Sequence, residues 1–429
     1  MSDRSRTGYA LAVLFCINAL NFFDRVIGGA LAEPIRRELS LSDSALGALG
    51  TAFTLLYAFV GIPLGRLADR APRKHILAAA VFVWSLLTAV SGLARTFAQL
   101  FVARLGVGAG EAACAPAATS LIGDLVPPQQ RARAMSLFML GLPIGIALSY
   151  LTASYIAAAY GWRTAFLLAG VPGIVAAIAA MFIDEPPRGT KEIAPVPVHV
   201  GSPWRKLLSI PTLWWLILSG ALHNFNMYAL GSFLAPLLMR YHGATLREAG
   251  LMTMMLYGLS GIPGLLAGGA LADKWGMRRK DGRLLVAAIA TTASVPLMVV
   301  ALTRPAGATW SFVLFGSLAC AFMYVYYASV YATLQDIVEP SLRGTAMALY
   351  FFAMYVLGAS FGPLGTGMAS DYFTRKAAAG AASLEPFRGE GLHAAMYLVP
   401  VLSLLLAVVL FAACRGVRRQ SPAAAHPGT

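Results

Sequence analysis

An all-α membrane protein, with twelve transmembrane helices in two pseudo-symmetric six-helix bundles, is predicted by three observations. Hydrophobic residues make up 58% of the 429 and charged ones only 12%, about half the roughly 25% charge of soluble domains. Twelve apolar segments approach or exceed the ~20 residues that one crossing of a bilayer requires. Three sequence landmarks recur in the same order in the two halves of the chain, the mark of an internal structural repeat.

The apolar segments run at 9–32, 43–65, 75–94, 97–123, 135–159, 163–183, 211–234, 249–272, 284–303, 309–335, 345–370 and 392–414. They divide the chain into an amino-terminal bundle (1–183), a linker (184–210), a carboxyl-terminal bundle (211–414) and a tail (415–429). The linker holds Pro186, Pro187, Pro195, Pro197 and Pro203 and is the one long polar connection in the middle. Around Trp204-Arg205-Lys206-Leu207-Leu208 it can form a short interfacial helix. The outer segment 371–391 has room for a small cap or short helix. Arg4 and Arg6 precede the first apolar run and Ala30-Leu31-Ala32 resembles a cleavage site, but Asp24-Arg25 lies between them, so an uncleaved first span is expected.

Lys and Arg set the orientation. With the amino end inside, 21 of the 33 basic residues fall on the inner segments and 10 on the outer ones, which predicts that both termini are cytoplasmic. The same asymmetry accounts for much of the formal charge of +14, so no nucleic-acid partner is required. Cys16, Cys114, Cys320 and Cys414 are scattered without metal-ligand spacing, and neither a disulfide framework nor a metal site follows. A GxxxxGK[ST] nucleotide motif does not occur; no cofactor is expected, and no enzymatic chemistry.

The repeat supports the two halves. Gly65-Arg-Leu-Ala-Asp69-Arg70 returns as Gly269-Ala-Leu-Ala-Asp273-Lys274, and Tyr57-x-x-x-Gly61-Ile62-Pro63 as Tyr257-x-x-x-Gly261-Ile262-Pro263. Pro128-x-x-Arg131-x-x-Ala134-Met135 matches Pro340-x-x-Arg343-x-x-Ala346-Met347. An Asp at one helix end can accept from the amino-terminal amides of a neighbour, and an Arg can bridge to it. Asp69, Arg70, Arg131, Asp273 and Arg343 are therefore expected to form a cytoplasmic gate, whereas Arg73, Lys74, Arg278, Arg279 and Lys280 read as topology signals. Gly141-x-x-x-Gly145 and Gly358-x-x-x-Gly362 suit close helix packing.

The chemistry is expected in the first half. Asp24 lies roughly 22 Å along a helix starting near Tyr9, where a charge costs on the order of 2.5–3.5 kcal/mol and usually serves a partner or a path. Arg104 and Glu111, seven residues apart, point to one side of the fourth span. Asp24 with Arg104 is the most natural pair, leaving Arg25 and Glu111 to each other, to water or to a substrate. The second half holds no carboxylate, Lys or Arg well inside a span; its candidates are His223, Asn224 and Asn226 and the tyrosines Tyr324, Tyr326, Tyr327 and Tyr331. The division suggests proton carriage and anion binding in the first half and an amphipathic wall in the second.

The repeated Gly65–Lys74 segment resembles that of the major facilitator superfamily. Asn21-Phe-Phe-Asp24-Arg25, Arg104-Leu-Gly-Val-Gly-Ala-Gly-Glu111-Ala and Asp184-Glu185-Pro186-Pro187-Arg188-Gly189 are similar to the Spinster lipid transporters within it. The resemblance implies two bundles rocking about a central cavity and proton-linked movement of lysophospholipids or sphingolipids. It makes Asp24 and Glu111 the protonation sites and Arg104 essential. Asn21, Arg25, Arg104, His223, Asn224, Tyr324, Tyr327 and Tyr331 are then expected to bind the substrate. The partners expected are a small amphipathic substrate, protons and the lipid bilayer, for a monomer in the inner membrane of a bacterial cell. Two other readings stay open from the sequence: a proton-coupled symporter of small organic anions, and a membrane sensor or passive scramblase.

Overall fold

The computed structural model describes residues 3–187, 203–339 and 342–419. Among the described residues, eleven helical stretches are long and apolar enough to cross a membrane: α1 (Ser5–Ala30), α2 (Asp43–Leu67), α3 (Arg73–Ser91), α4 (Phe97–Leu125), α5 (Arg133–Tyr160), α6 (Trp162–Met181), α8 (Leu246–Gly276), α9 (Gly282–Leu302), α10 (Thr309–Asp336), α11 (Arg343–Ala378) and α12 (Glu385–Arg418). Between α6 and α8 stands α7 (Pro211–Arg240), whose 30 residues give it the length of a span. His223, Asn224 and Asn226 dilute its apolar character, and all three are buried in the bundle, where polar groups of a span belong. Together these are the twelve expected helices.

Close approach of backbones builds each bundle. Gly141 and Gly145 of α5 lie against Asn18 and Ala19 of α1, and Gly358 and Gly362 of α11 lie against Ala221 and Phe225 of α7. The two GxxxG pairs thus occupy corresponding positions in the repeats, where any side chain would hold the helices apart. Asn18 donates to the Phe138 carbonyl at 2.7 Å and Ser149 to that of Phe23 at 2.9 Å, fixing α1 to α5. The bundles meet along two related seams. On one, Gly250 and Gly258 of α8 pack on Ser154 and Ala147 of α5; on the other, Thr54 of α2 bonds Ser360 of α11 at 3.0 Å.

Two helices depart from regular geometry next to these seams. α8 contains a π-helical turn at Met254–Leu259 and α11 one at Tyr355–Ala359, local widenings that recur at functional positions. α4 is interrupted by a turn at Ala112-Ala113, directly after Glu111. The exterior carries exposed aromatic residues near helix ends, among them Tyr160, Trp214, Trp310 and Tyr372, as expected at a membrane–water interface.

The outer segment 371–391, with room for a small cap or short helix, is helical over most of its length. α11 continues through 371 to Ala378, and α12 opens with a short 3-10 turn at Glu385–Phe387 followed by helix Arg388–Met396. The linker helix spans Pro203–Leu208, and the remainder of the linker from 188 to 202 lies outside the described residues.

The two ends of the molecule differ. At the face bearing the chain ends, Arg6 pairs with Asp184 and Arg418 with Asp281. At the opposite face, ion pairs join the bundles. Arg240 of α7 bonds Glu33 at 2.6 Å and both carboxylate oxygens of Asp43 at 2.9 Å, and Arg36 takes Glu385 at 2.9 and 3.0 Å. Asp371 accepts from the backbone amides of Asp43 and Ser44, at 3.1 and 2.9 Å, at the amino terminus of α2, where the helix dipole favours a negative charge. This latch shuts the opposite face.

Candidate functional site: a central cavity open to the terminal face

Between the bundles lies a cavity of about 1860 Å³. It extends from Arg25 and Arg104 at mid-depth to Arg66 and Arg133 of the amino-terminal bundle and Gly344 and Met347 of the other, on the face that carries the termini.

Arg25 is the centre of the site. Its guanidinium forms an ion pair with Glu111 at 3.3 Å, the two side chains being 4% and 0% exposed. It also donates to Asn21 Oδ1 at 3.0 Å, one turn earlier on α1. The remaining bonds cross to the other bundle: Nη1 reaches the hydroxyls of Tyr228 on α7 at 3.3 Å and Tyr355 on α11 at 3.1 Å. The rings of Tyr57 and Phe22 stand 4.6 and 4.8 Å from the guanidinium carbon, within cation–π range. Arg25 is thus held by both bundles.

Arg104 also lines the cavity, over the Phe53 ring at 5.2 Å. It does not take the Asp24 carboxylate, the pairing that depth alone favoured. Nη2 donates instead to the Asp24 backbone carbonyl at 2.8 Å. Successive helical residues point about 100° apart, so with Arg25 facing the cavity the Asp24 side chain turns inward, towards Trp84 and Thr88 of α3. Neither Asp24 nor Glu111 lines the cavity; each stands directly behind an arginine that does. The glycines of α4 allow this arrangement, Gly108 lying against the Phe53 backbone and Gly110 against Trp84.

Of the second-half candidates, Asn224, Tyr324, Tyr327 and Tyr331 line the cavity. Tyr324 donates to the Tyr257 carbonyl at 2.9 Å, at the π-helical turn of α8, and Asn224 donates to Gly220 at 2.9 Å. His223 does not line it: the imidazole is stacked on Tyr326 at 4.0 Å and set edge-on to Tyr327 at 4.7 Å, a packed position behind the tyrosine wall. Tyr57, Tyr228 and Tyr355 were missed because an aromatic in an apolar span carries no mark that separates an Arg ligand from a packing residue.

The expected gate is disposed within the bundles. Asp273 pairs with Arg283 at 3.3 Å, which also bonds Asp336, and Arg343 donates to the Gln335 carbonyl at 2.9 Å. Arg70 is exposed and Arg131 half-buried, and the side chain of Asp69 lies outside the described residues. Arg73, expected as a topology signal only, is instead the buried hub of this face. It bonds Asp124, Glu185 at 2.9 Å and the Ser120 hydroxyl at 2.9 Å. Glu185 in turn accepts from the amides of Arg73 and Lys74 at 2.9 and 3.2 Å, the helix-end device that was assigned to Asp69 and Asp273. Burial raises the proton affinity of Glu185, but the bonds from Arg73 and the two amides outweigh it and hold the carboxyl below its ordinary range.

Residues 13–363 match the family model described as Major Facilitator Superfamily. The chain belongs to that superfamily. Two bundles enclosing one cavity, closed at one end and open at the other, are the superfamily fold seen in a crystal structure of a bacterial homologue of the human lysosomal transporter Spinster, inward-facing and unoccupied. That structure is 29% identical, superposes with a TM-score of 0.84, and the match covers 97% of this chain and 99% of the other. An MFS-type efflux pump of Mycolicibacterium smegmatis is 32% identical, over 86% of each chain. A probable L-galactonate transporter of Escherichia coli is 28% identical, over 84% of this chain and 83% of its own. The chain is an integral membrane transporter of this superfamily and not an enzyme.

Proposed function

We propose that the chain is a proton-coupled secondary active transporter of an amphipathic, lipid-like substrate of the lysophospholipid or sphingolipid type, working by rocker-switch alternating access. The observation that carries the reading is the division of one cavity between Arg25 and Arg104 on the first-half wall and Tyr324, Tyr327, Tyr331 and apolar side chains on the other. A charged headgroup fits the first wall and a tail the second.

The coupling follows from Arg25–Glu111. A phosphate that takes Arg25 competes with Glu111; the carboxylate, losing its counter-charge at a buried position, gains a proton. By linkage the proton then alters affinity for the headgroup. Asp24, turned away from the cavity beside Arg104, is the second carboxyl that exchanges protons, and Asn21 and Asn224 help to orient the headgroup. The terminal face is the cytoplasmic one, supported by the excess of Lys and Arg on its segments. Asp273 and Arg343 exchange their partners within the carboxyl-terminal bundle for partners across the gap when that face shuts, and Asp69, Arg70 and Arg131 take part from the other bundle. The chain acts as a monomer in a bacterial inner membrane.

Uptake of lysophosphatidylglycerol into proteoliposomes under an imposed pH gradient tests this. Flux that stays gradient-dependent in both Asp24→Asn and Glu111→Gln would overturn it. A second reading, symport of small organic anions, is favoured by the likeness to the probable L-galactonate transporter. Binding of sugar acids but not lysolipids by purified protein, abolished in Arg104→Ala, would select it.

A further inference from the structure

Three buried polar atoms on the inner side of α1 make no hydrogen bond. The Asp24 carboxylate is 2% exposed and its Oδ1 is unbonded; Trp84 and Thr88, both 0% exposed, leave the indole Nε1 and the hydroxyl Oγ1 unbonded. Trp84 and Thr88 stand four residues apart on α3, so they share one face of the helix, and that face is the one opposed to the Asp24 carboxylate. A buried indole N–H or hydroxyl ordinarily finds a partner, and two donors aimed at one acceptor-only carboxylate form a complementary set. In this state they approach Asp24 without completing hydrogen-bond geometry.

We infer that Trp84 and Thr88 are positioning residues for the proton site, donors on α3 that hold the Asp24 carboxylate and make its protonation a contact between α1 and α3. The inference rests on the proton-coupled reading and deepens it. The charged groups facing Asp24 are Arg104 and Glu111 of α4, with Arg25 adjacent on α1; among the described residues no titratable group of α3 faces it. α3 therefore contributes dipoles and no charge. When Asp24 ionises, the indole N–H and the hydroxyl close on it; when it is protonated the contact loosens and frees α1, which carries Arg25, to move relative to α3.

The test reads Asp24 directly, without a substrate. Infrared difference spectra of the purified full-length protein are recorded across about pH 4–10, the window in which a carboxyl perturbed within the surveyed range titrates. The carboxylate stretching band of ionised Asp24 is assigned by its loss in Asp24→Asn. In Thr88→Val and Trp84→Phe this band is expected to shift and its titration midpoint to be displaced by about half a pH unit or more, and Thr88→Ser to restore both. A band left in place by both variants, with thermal unfolding unchanged, overturns the assignment whatever the flux. A band that moves as stated in protein that shows no proton-driven transport leaves the α3 assignment standing and removes the transport reading. Absence of any Asp24 band in this window overturns both. Should Trp84→Phe fail to fold, Thr88→Val and its serine rescue decide alone.

Discussion

Arg25 and Glu111 form an ion pair 3.3 Å apart whose carboxylate belongs wholly to the amino-terminal bundle, while the arginine is shared with the other one through Tyr228 and Tyr355. A single guanidinium is therefore bonded to both bundles, and under the proposed coupling it ties the protonation of Glu111 to the position of the other bundle.

Removing one member of such a pair leaves a buried charge uncompensated, at a cost of about 3–5 kcal/mol. Arg25→Ala should lower the thermal unfolding temperature clearly, and the double variant Arg25→Met/Glu111→Met should recover most of the loss while remaining inactive in proteoliposomes. Equal unfolding temperatures for Arg25→Ala and the double variant would contradict this account.

Tyr355→Phe removes a hydroxyl that accepts from Arg25 and leaves its ring in place. Because the cavity can supply water to the freed N–H, the stability loss should stay below about 1.5 kcal/mol. The distribution between open and closed forms should change more: the bond is made in the form open at the terminal face, so spin labels placed across that face should report a smaller share of open molecules.

The latch at the closed face gives a prediction about pH. Burial alone would raise the Glu33 carboxyl, but Arg36 and Arg240 outweigh it and lower its pKa from 4.5 to about 2. Its ionised form is thus favoured by folding, so the stabilisation is complete above pH 4.5 and is lost only as pH falls through about 2. In an Asp24→Asn/Glu111→Gln background, where the proposed proton sites are removed, labelling of a cysteine placed beneath this latch should be the same at pH 8 and pH 5, and should rise at both on adding Glu33→Gln or Arg240→Ala. A pH-dependent rise in the background without the latch substitutions would contradict the latch.

Arg73 holds Asp124, Glu185 and Ser120 together while its own side chain is 1% exposed. Arg73→Gln should destabilise the protein by about 3 kcal/mol or more, and Arg73→Lys should rescue little, since a point charge cannot serve several acceptors in a plane. Chemical unfolding of detergent-solubilised protein checks both.

How far the sequence reaches is visible in these same residues. Asp24, Arg25, Arg104 and Glu111 stood out because ionic groups in an apolar run are costly, and the repeat located the bundles because both halves kept the same landmarks. The partner of Arg104 was not legible. Depth along a helix is read from residue number, but the direction of Asp24 depends on the rotation of α1, which packing against α5 sets. Arg73 was misread because a basic residue near a helix start already satisfies the topology rule. Its partners lie 51 and 112 residues away in the chain. The π-helical turns that place Tyr257 and Tyr355 have no compositional signature, and a tyrosine shows its role only once the opposing bundle is in place.

The confinement of mid-depth ionic groups to the amino-terminal repeat also has an electrical consequence. A membrane potential does work only on charge displaced along it, about 2.3 kcal/mol per elementary charge per 100 mV. With Asp24, Arg25, Arg104 and Glu111 all in one repeat, the field pulls on that repeat and finds little to grip in the other. The carboxyl-terminal repeat is the electrically silent partner, and voltage enters the cycle through the state of four side chains.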